Sequence, residues 1–488
     1  MFHSKLFFTL IVSFSFLLSQ VSAKEPYALF SPHEGKEAFN TMYDMIKNAR
    51  EKAHVTIYSW SDRGITKAFE QALKNNVDVR IVLHKPLTEK PKVMKTVAEL
   101  EKKGAMIKIS HQNMHEKMVI VDDIKMVNSS ANMSNGAKSK YSEDFTFVFV
   151  DNPEKEKDNV LILNQFIKEF KYLWNSAKDV KTPGELKSAT PLEIKDLKNN
   201  PIKNAAAILY SSSHARTYKE SGKNTKTYEK GMWIKSSLDR SAYVVSKALV
   251  KAIDKARTNV YFTLNHLFLD NVVQAAIRAM NRGVKVQWSL DNQEFKGLYG
   301  GRKAQILKFV KAYQKKFPNK EVPIRIKYYS HNPSPKFWFL NHHKYTLIDY
   351  KANDMSNTVL FAGSHNLSKT AETSQYDNLV RFEGKQFSRL YKEYFKQFEN
   401  LWYMGRNKSI DKLKRGKLDP FMKVYSNKKV ALHLTDKYDV ISMTWQEVID
   451  FRADLNKVAP GVFASSMKER DCFYYNFKAK KFEGCPSK

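Results

Sequence analysis

Cysteine is nearly missing from this chain: among 488 residues only Cys472 and Cys485 occur, both inside CFYYNFKAKKFEGC near the C-terminus. Neither lies close to a histidine motif, which argues against a cysteine nucleophile. Acidic residues are also scarce, 50 against 82 lysines and arginines, leaving a formal charge of +32. A chain this basic is drawn to polyanions or to anionic membrane surfaces by long-range attraction and counterion release. Its lysines run along the whole chain, as in KSKYSED and KSIDKLKRGK, so a well-solvated basic surface would account for the charge equally well.

Long apolar runs are lacking too. The one candidate, Leu6 to Leu18, follows Lys5 and ends before the small-x-small signature Val21-Ser22-Ala23. It is shorter than the roughly 20 residues a bilayer-spanning helix needs. It reads as a cleavable signal peptide over residues 1–23, with the mature chain expected to be soluble and secreted or periplasmic. In an oxidising compartment Cys472 and Cys485 would close a short C-terminal loop as a disulfide. An apolar content of 42% and an aromatic content of 13% place the rest among globular proteins.

What is present is one unit, twice. IKNAREKAHVTIYSW (46–60) aligns with IDKARTNVYFTLNHL (253–267), and at the same offset NVDVRIVL (76–83) aligns with GVKVQWSL (283–290). In each copy a helical pattern precedes a β-branched strand, then a second helix and a second strand. Each half should therefore be an α/β layer with a mixed sheet between helices. Both copies close on an aromatic stripe spaced by four: Phe166, Phe170 and Trp174 in one, Tyr394, Phe398 and Trp402 in the other. That spacing predicts one inward-packed helical face. The expected organisation is a first domain over 24–177, a proline- and lysine-rich linker over 178–204 with little core of its own, a second domain over 205–405, and an extension over 406–488 with no assigned role.

Within each copy stands a histidine, a lysine two residues on and an aspartate five further: HEKMVIVD with His115, Lys117 and Asp122, and HHKYTLID with His342, Lys344 and Asp349. Residues two apart on a strand share a face, so each histidine and lysine should point the same way. The aspartates fall on the opposite face and should fix the strand end. Downstream the register holds: SSANMS pairs with GSHNLS, setting Ser130 against Ser364, Asn132 against Asn366 and Ser134 against Ser368, and Glu143 falls opposite Asp377. Metal binding fits poorly. HEKMV has Val119 where a zinc-protease helix needs its second histidine, and a lysine beside each histidine repels a cation.

Two His-x-Lys-x4-Asp motifs, each followed by Gly/Ser-Ser-x-Asn-x-Ser, resemble the phospholipase D superfamily over about residues 27–405. The resemblance implies two tandem α/β/α sandwich repeats related by a pseudo-twofold axis, with the motifs meeting at one site on one chain, so that a monomer suffices. It implies no cofactor and no metal. One histidine would attack phosphorus to give a phosphohistidine and the other would protonate the leaving group; His115 would be the nucleophile and His342 the general acid. The chemistry of the residues agrees. Imidazoles serve as nucleophile and acid near neutral pH, and lysines and asparagine amides stabilise charge on phosphate oxygens. On this reading His115, Lys117, Asp122, His342, Lys344 and Asp349 form the catalytic motif set, Ser130, Asn132, Ser364 and Asn366 bind phosphate, and Glu143 and Asp377 hold the second ring nitrogens of the histidines.

The chain departs from the family in two places. Ser129 stands where glycine is common, and SHQNMHEK (110–117) corresponds to the longer SHNPSPKFWFLNHHK (330–344), an insertion carrying Pro333, Pro335, Phe337, Trp338 and Phe339. Such an aromatic loop could enter a lipid interface, stack on nucleic-acid bases or pack on its own domain. A phospholipid membrane surface is the expected partner and phospholipid head-group hydrolysis the expected activity. The charge keeps a secreted metal-independent nuclease open; so do FSP (30–32) and IYSWSD (57–62), which resemble single-motif members that include nucleases. A non-catalytic membrane or nucleic-acid binder is the third reading, disfavoured because both His–Lys pairs are intact.

Overall fold

A computed structural model describes residues 24–180, 190–195, 197–221, 232–291, 305–329, 339–405, 422–425, 429–432, 440–458, 473–476 and 481–484. The leader expected over 1–23, most of the aromatic insertion, and Cys472 and Cys485 lie outside them.

The first half forms β1 (Tyr27–Ser31), β2 (Lys52–Ile57), β3 (Asp78–Leu83), β4 (Met106–Ile109), β5 (Asn113–Met114), β6 (Met118–Val121), β7 (Lys125–Ser129), β8 (Glu143–Phe149) and β9 (Lys178–Asp179). All but β5 join one sheet in the order β1-β8-β7-β6-β2-β3-β4-β9. The second half repeats it with β10 (Ala207–Ser211), the hairpin β11 (Arg216–Glu220) and β12 (Ile234–Leu238), β13 (Asn259–Leu264), β14 (Lys285–Asp291), β15 (Ile324–Tyr329), β16 (Lys344–Ile348), β17 (Val359–Gly363), β18 (Gln375–Tyr376) and β19 (Asn378–Glu383). A hairpin of β20 (Met422–Tyr425) and β21 (Lys429–Leu432) precedes β22 (Val440–Thr444), and the second sheet runs β10-β19-β17-β16-β13-β14-β15-β22. Each sheet is mixed: β2, β3 and β4 are parallel, as are β13, β14 and β15, while the remaining partners in the two sheets are antiparallel.

Helices α1 (Gly35–Lys47), α2 (Arg63–Lys74) and α3 (Pro91–Lys102) bury Phe39, Ile46, Phe69 and Val97 against one face of the first sheet. The N-terminus of α2 is fixed by Asp62, whose carboxylate accepts from the Ile65 N–H at 3.0 Å. Serines in register cap two short helices: Ser134 Oγ accepts from Ala137 N–H and Ser368 Oγ from Ala371 N–H. The long helix α5 (Lys157–Ser176; α4 is Asn135–Ser139) and the helix Ser388–Trp402 carry the aromatic stripes. Phe166, Phe170, Trp174, Tyr394, Phe398 and Trp402 are all buried, in a core that also takes Phe30 and Ile120 from the first sheet and Tyr345 and Val380 from the second. That shared core holds the two halves together.

The segment expected to be a linker with little core is, in its described part, pinned to α5. Trp174 Nε1 donates to the Thr190 carbonyl, Asn175 exchanges hydrogen bonds with Leu192, and Val180 and Ile194 are buried. Satisfying buried polar groups of α5 in this way makes it part of the first domain's surface. The C-terminal extension also takes a structural role, because β22 completes the second sheet beside β15 as β9 completes the first beside β4. Among the described residues no helix is long and apolar enough to cross a membrane.

Candidate active site

The two motifs meet because short strands cross between the halves. β5, just before His115, pairs with β18, just before Asp377, and the His115 N–H donates to the Tyr376 carbonyl at 2.9 Å. In the mirrored place the His342 N–H donates to the Ser142 carbonyl at 2.9 Å, next to Glu143. Each histidine is thereby stitched to the strand that carries the other half's carboxylate.

The side chains follow. His115 Nδ1 lies 2.6 Å from Asp377 Oδ1, and His342 Nδ1 lies 2.8 Å from Glu143 Oε2. Both carboxylates are fully buried, while His115 and His342 retain 4% and 9% exposure. With Nδ1–H donated to a carboxylate, Nε2 is the nitrogen left for chemistry. Each carboxylate is in turn held by a serine of its own half: Ser130 Oγ donates to Glu143 at 2.7 Å and Ser364 Oγ donates to Asp377 at 2.8 Å. These serines were expected to bind phosphate. They are fully buried and spent on the carboxylates, so they orient the histidines at one remove instead.

Lys117 and Lys344 are buried beside the histidines, each ammonium donating to the carbonyl of the histidine two residues before it. Burial brings Lys117 down to about 7 and Lys344 to about 8, against the pull of Asp377 and Glu143 respectively. His115 and His342 are held well below their usual value, first by burial and then by the two lysines, which favours the neutral imidazoles. Burial pushes Glu143 up to about 8 and Asp377 up to about 6, opposed by Lys344 in the first case and by His365 and Lys117 in the second. Asn132 and Asn366 are half-buried on the turns after β7 and β17, and among the described residues their Oδ1 atoms have no partner.

Asp122 and Asp349, included in the motif set, take no part in this site. At the far end of the strands that follow the histidines, each sits in the left-handed region at φ 53°. Asp122 accepts from the N–H groups of Arg50, Glu51 and Lys52. Asp349 accepts from those of Arg257, Thr258 and Asn259. Both tie one strand end to the start of its neighbour.

The structure adds residues that motif spacing did not single out. His343 Nδ1 lies 2.8 Å from Asp144 Oδ1, a second crossing between halves, and Asp144 also accepts from the Tyr394 hydroxyl at 3.1 Å. Asn128 donates to Asn378 Oδ1 at 3.0 Å beside Gly363, where a Cβ would lie 2.5 Å from the Asn378 carbonyl oxygen. Lys327 donates to Ser142 Oγ at 2.8 Å, next to Glu143. Tyr58 packs on His84 and meets His115 edge-on at 4.7 Å, and His266 stacks on the exposed Phe268 near His342. His343, Asp144, Asn128 and Asn378 stand next to motif residues in the sequence, but their cross-half partners were not visible there; Tyr58, His84, His266 and Lys327 lie far from the motifs in the chain and carried no signal.

The chain matches the family described as cardiolipin synthase, PLD-like domain, over residues 42–174 and 249–402. Among solved structures it is similar to Nuc, a phospholipase D family member from Salmonella typhimurium, at 22% identity over 32% of this chain and 100% of that one, with a TM-score of 0.28. NucT from Helicobacter pylori gives 18% identity over 32% of this chain and 99% of that one, TM-score 0.28. A phosphatidylserine synthase from Haemophilus influenzae gives 11% identity over 77% of this chain and 86% of that one, TM-score 0.45. No curated protein sequence matches the chain.

Proposed function

The chain belongs to the phospholipase D superfamily, whose chemistry is phosphodiester processing, and on that premise we propose that it is an exported, metal-independent phosphodiesterase that removes phospholipid head groups through a covalent phosphohistidine. The observation that carries this reading is the crossed pairing of His115 with Asp377 and His342 with Glu143. A neutral His115, its Nδ1–H directed to Asp377, presents Nε2 to phosphorus. As the N–P bond forms, the P–O bond to the leaving alcohol breaks and His342 Nε2 supplies the proton that alcohol takes. Water then gives its proton to His342 and attacks phosphorus, and the His115 N–P bond breaks.

His342 takes the proton for the first step from water when the substrate binds. A phosphodiester anion between Lys117 and Lys344 offsets the positive field that keeps His342 neutral, and Glu143, with its raised proton affinity, stabilises the imidazolium that forms. The lysines and the asparagine amides take up charge on the non-bridging oxygens.

Phospholipid is favoured as substrate by access. Histidines only 4% and 9% exposed suit a phosphate presented end-on, head group first, better than a duplex laid along the surface. The exposed Phe268 beside the Asn366 turn, where its N–H bonds the Leu367 carbonyl, offers an apolar contact at the rim. The charge of +32 supports attraction to anionic membranes and equally to nucleic acid. The test is a side-by-side assay of mature protein in excess EDTA on phosphatidylcholine and phosphatidylglycerol vesicles and on single- and double-stranded DNA, with His342→Ala as the blank. Head-group release with intact DNA is expected; DNA cleavage with intact lipid would replace this reading by an exported nuclease.

A further inference from the structure

Arg216, the first residue of β11, is 6% exposed, yet among the described residues its Nε and Nη2 have no hydrogen-bond partner. Its side-chain hydrogen bond among the described residues runs from Nη1 to Ser236 Oγ at 3.3 Å, and its Cζ lies 4.6 Å from the centroid of the Tyr376 ring. Arg80, buried to a similar degree, is treated differently: its Nε donates to the Asp78 carboxylate and its Nη1 to the Thr190 carbonyl. Burying a guanidinium without a counter-ion is unfavourable, because the lost hydration is not replaced. A fold that keeps such a group needs something to repay it.

The unpaired atoms have a definite shape. Nε and Nη2 are one edge of the guanidinium, two parallel donors whose spacing matches two oxygens of a phosphate or carboxylate. The Tyr376 hydroxyl, buried and also without a partner among the described residues, is a further donor on the same pair of residues. His111 closes the cluster, its Nε2 3.2 Å from Ser236 Oγ and its ring 6.0 Å from that of Tyr376. The cluster adjoins the catalytic centre, because the Tyr376 carbonyl takes the His115 N–H and the next residue is Asp377.

We propose that the Nε–Nη2 edge of Arg216 is a second anion site beside the catalytic histidines, built to take a phosphate or carboxylate group. The group comes either from an anionic head group of the substrate, an assignment that rests on the phospholipase reading, or from a free anion in solution.

Calorimetric titration of the mature chain with inorganic phosphate at constant ionic strength tests the site without any activity. Wild type should show two classes of site. Arg216→Met should lose one of them, and Arg216→Lys, a point charge without the fork, should weaken it about tenfold or more. Arg216→Met should also melt higher than wild type in the absence of phosphate, since it removes an uncompensated buried charge. The source of the anion is read from hydrolysis of phosphatidylserine against phosphatidylcholine. A fall of about tenfold in the ratio of their kcat/KM values in Arg216→Met assigns the site to a head-group carboxylate. An unchanged ratio with a lost phosphate site assigns it to a free anion. If Arg216→Met and Arg216→Lys both bind phosphate as wild type does, the proposal fails, whatever the enzyme does to lipid. Inactivity on both lipids with a lost phosphate site would count against the phospholipase reading and leave the anion site standing.

Discussion

His115 and Asp377 are 262 residues apart in the chain and 2.6 Å apart at Nδ1 and Oδ1. Neither half of the protein therefore owns a working histidine. Each imidazole is oriented by a carboxylate from the opposite half, and each carboxylate is itself held by a serine of its own half.

Removing one carboxylate should silence a histidine in the other half. Asp377→Asn keeps the size of the side chain but can offer a donor to Nδ1 and so favour the wrong tautomer. A loss in kcat of about 10²–10⁴-fold is expected, with KM little changed. Glu143→Gln should behave alike through His342. Steady-state kinetics on the best lipid substrate decide it; near-normal turnover in both variants would show that the pairing is only structural.

The motif aspartates should behave in the opposite way. Asp122→Ala and Asp349→Ala each free three backbone N–H groups at a strand end, and a loss of about 1–3 kcal/mol in denaturant-induced unfolding is expected with kcat retained. Burial works to raise the pKa of Asp122, but the N–H groups of Lys52, Glu51 and Arg50 outweigh it and bring it down. Its contribution is therefore present above the ordinary carboxylate range and lost as pH falls through the lowered value. Urea melts of wild type and Asp122→Asn should converge in acid.

How much of this was legible in the sequence depends on the range of the interaction. Period and repeat located the strands, the aromatic helices and both His–Lys pairs, because those features are local. The odd spacing of Asp122 and Asp349 also foretold their place at strand ends. Ser130 and Ser364 were misread because their position beside the asparagines said nothing of burial, which Glu143 and Asp377 decide. The crossing of carboxylates between halves is a tertiary fact, fixed by the β5–β18 contact, and the proline- and lysine-rich segment looked free because its anchors, Trp174 and Asn175, lie on α5.

Activity and stability should respond to alkaline pH with opposite signs from the same lysines. Lys117 at about 7 and Lys344 at about 8 must be protonated to receive phosphate, so kcat/KM should fall as pH rises through that interval. Between those values and the ordinary 10.5 the unfolded chain holds protons that the folded chain lacks, so these lysines make stability rise with pH there. Glu143 acts the other way: raised from 4.5 to about 8, it contributes stability at low pH that is lost as pH climbs through about 8. Glu143→Gln should accordingly flatten the dependence of Tm on pH between about 5 and 8. An unaltered slope would contradict the raised proton affinity of that carboxyl.

A second buried carboxyl lies between His115 and Lys117. Ser211 Oγ is 2.9 Å from Oε1 of both Glu116 and Glu169, and one hydroxyl hydrogen can serve only one of them. The other must donate to Ser211, so the pair carries a proton, in keeping with the rise that burial and mutual repulsion impose on Glu116. Glu116→Gln should leave the unfolding free energy within about 1 kcal/mol of wild type at neutral pH, since an amide replaces a group already neutral or half neutral. A loss several times larger, read by thermal melts, would mean that Glu116 is ionised.

The two halves form one composite site in which a histidine of the first half takes the phosphatidyl group while held by an acid of the second. The most direct measurement is rapid mixing with phospholipid, alkaline quench and mapping of the phosphorylated residue by mass spectrometry, in wild type, His342→Ala and Asp377→Asn. A phosphatidyl adduct on His115 in wild type, no more than trace in Asp377→Asn, and accumulation in His342→Ala given a substrate with a good leaving group is the expected result. An adduct on neither histidine, or on His115 at the wild-type rate in Asp377→Asn, would rule out the composite site.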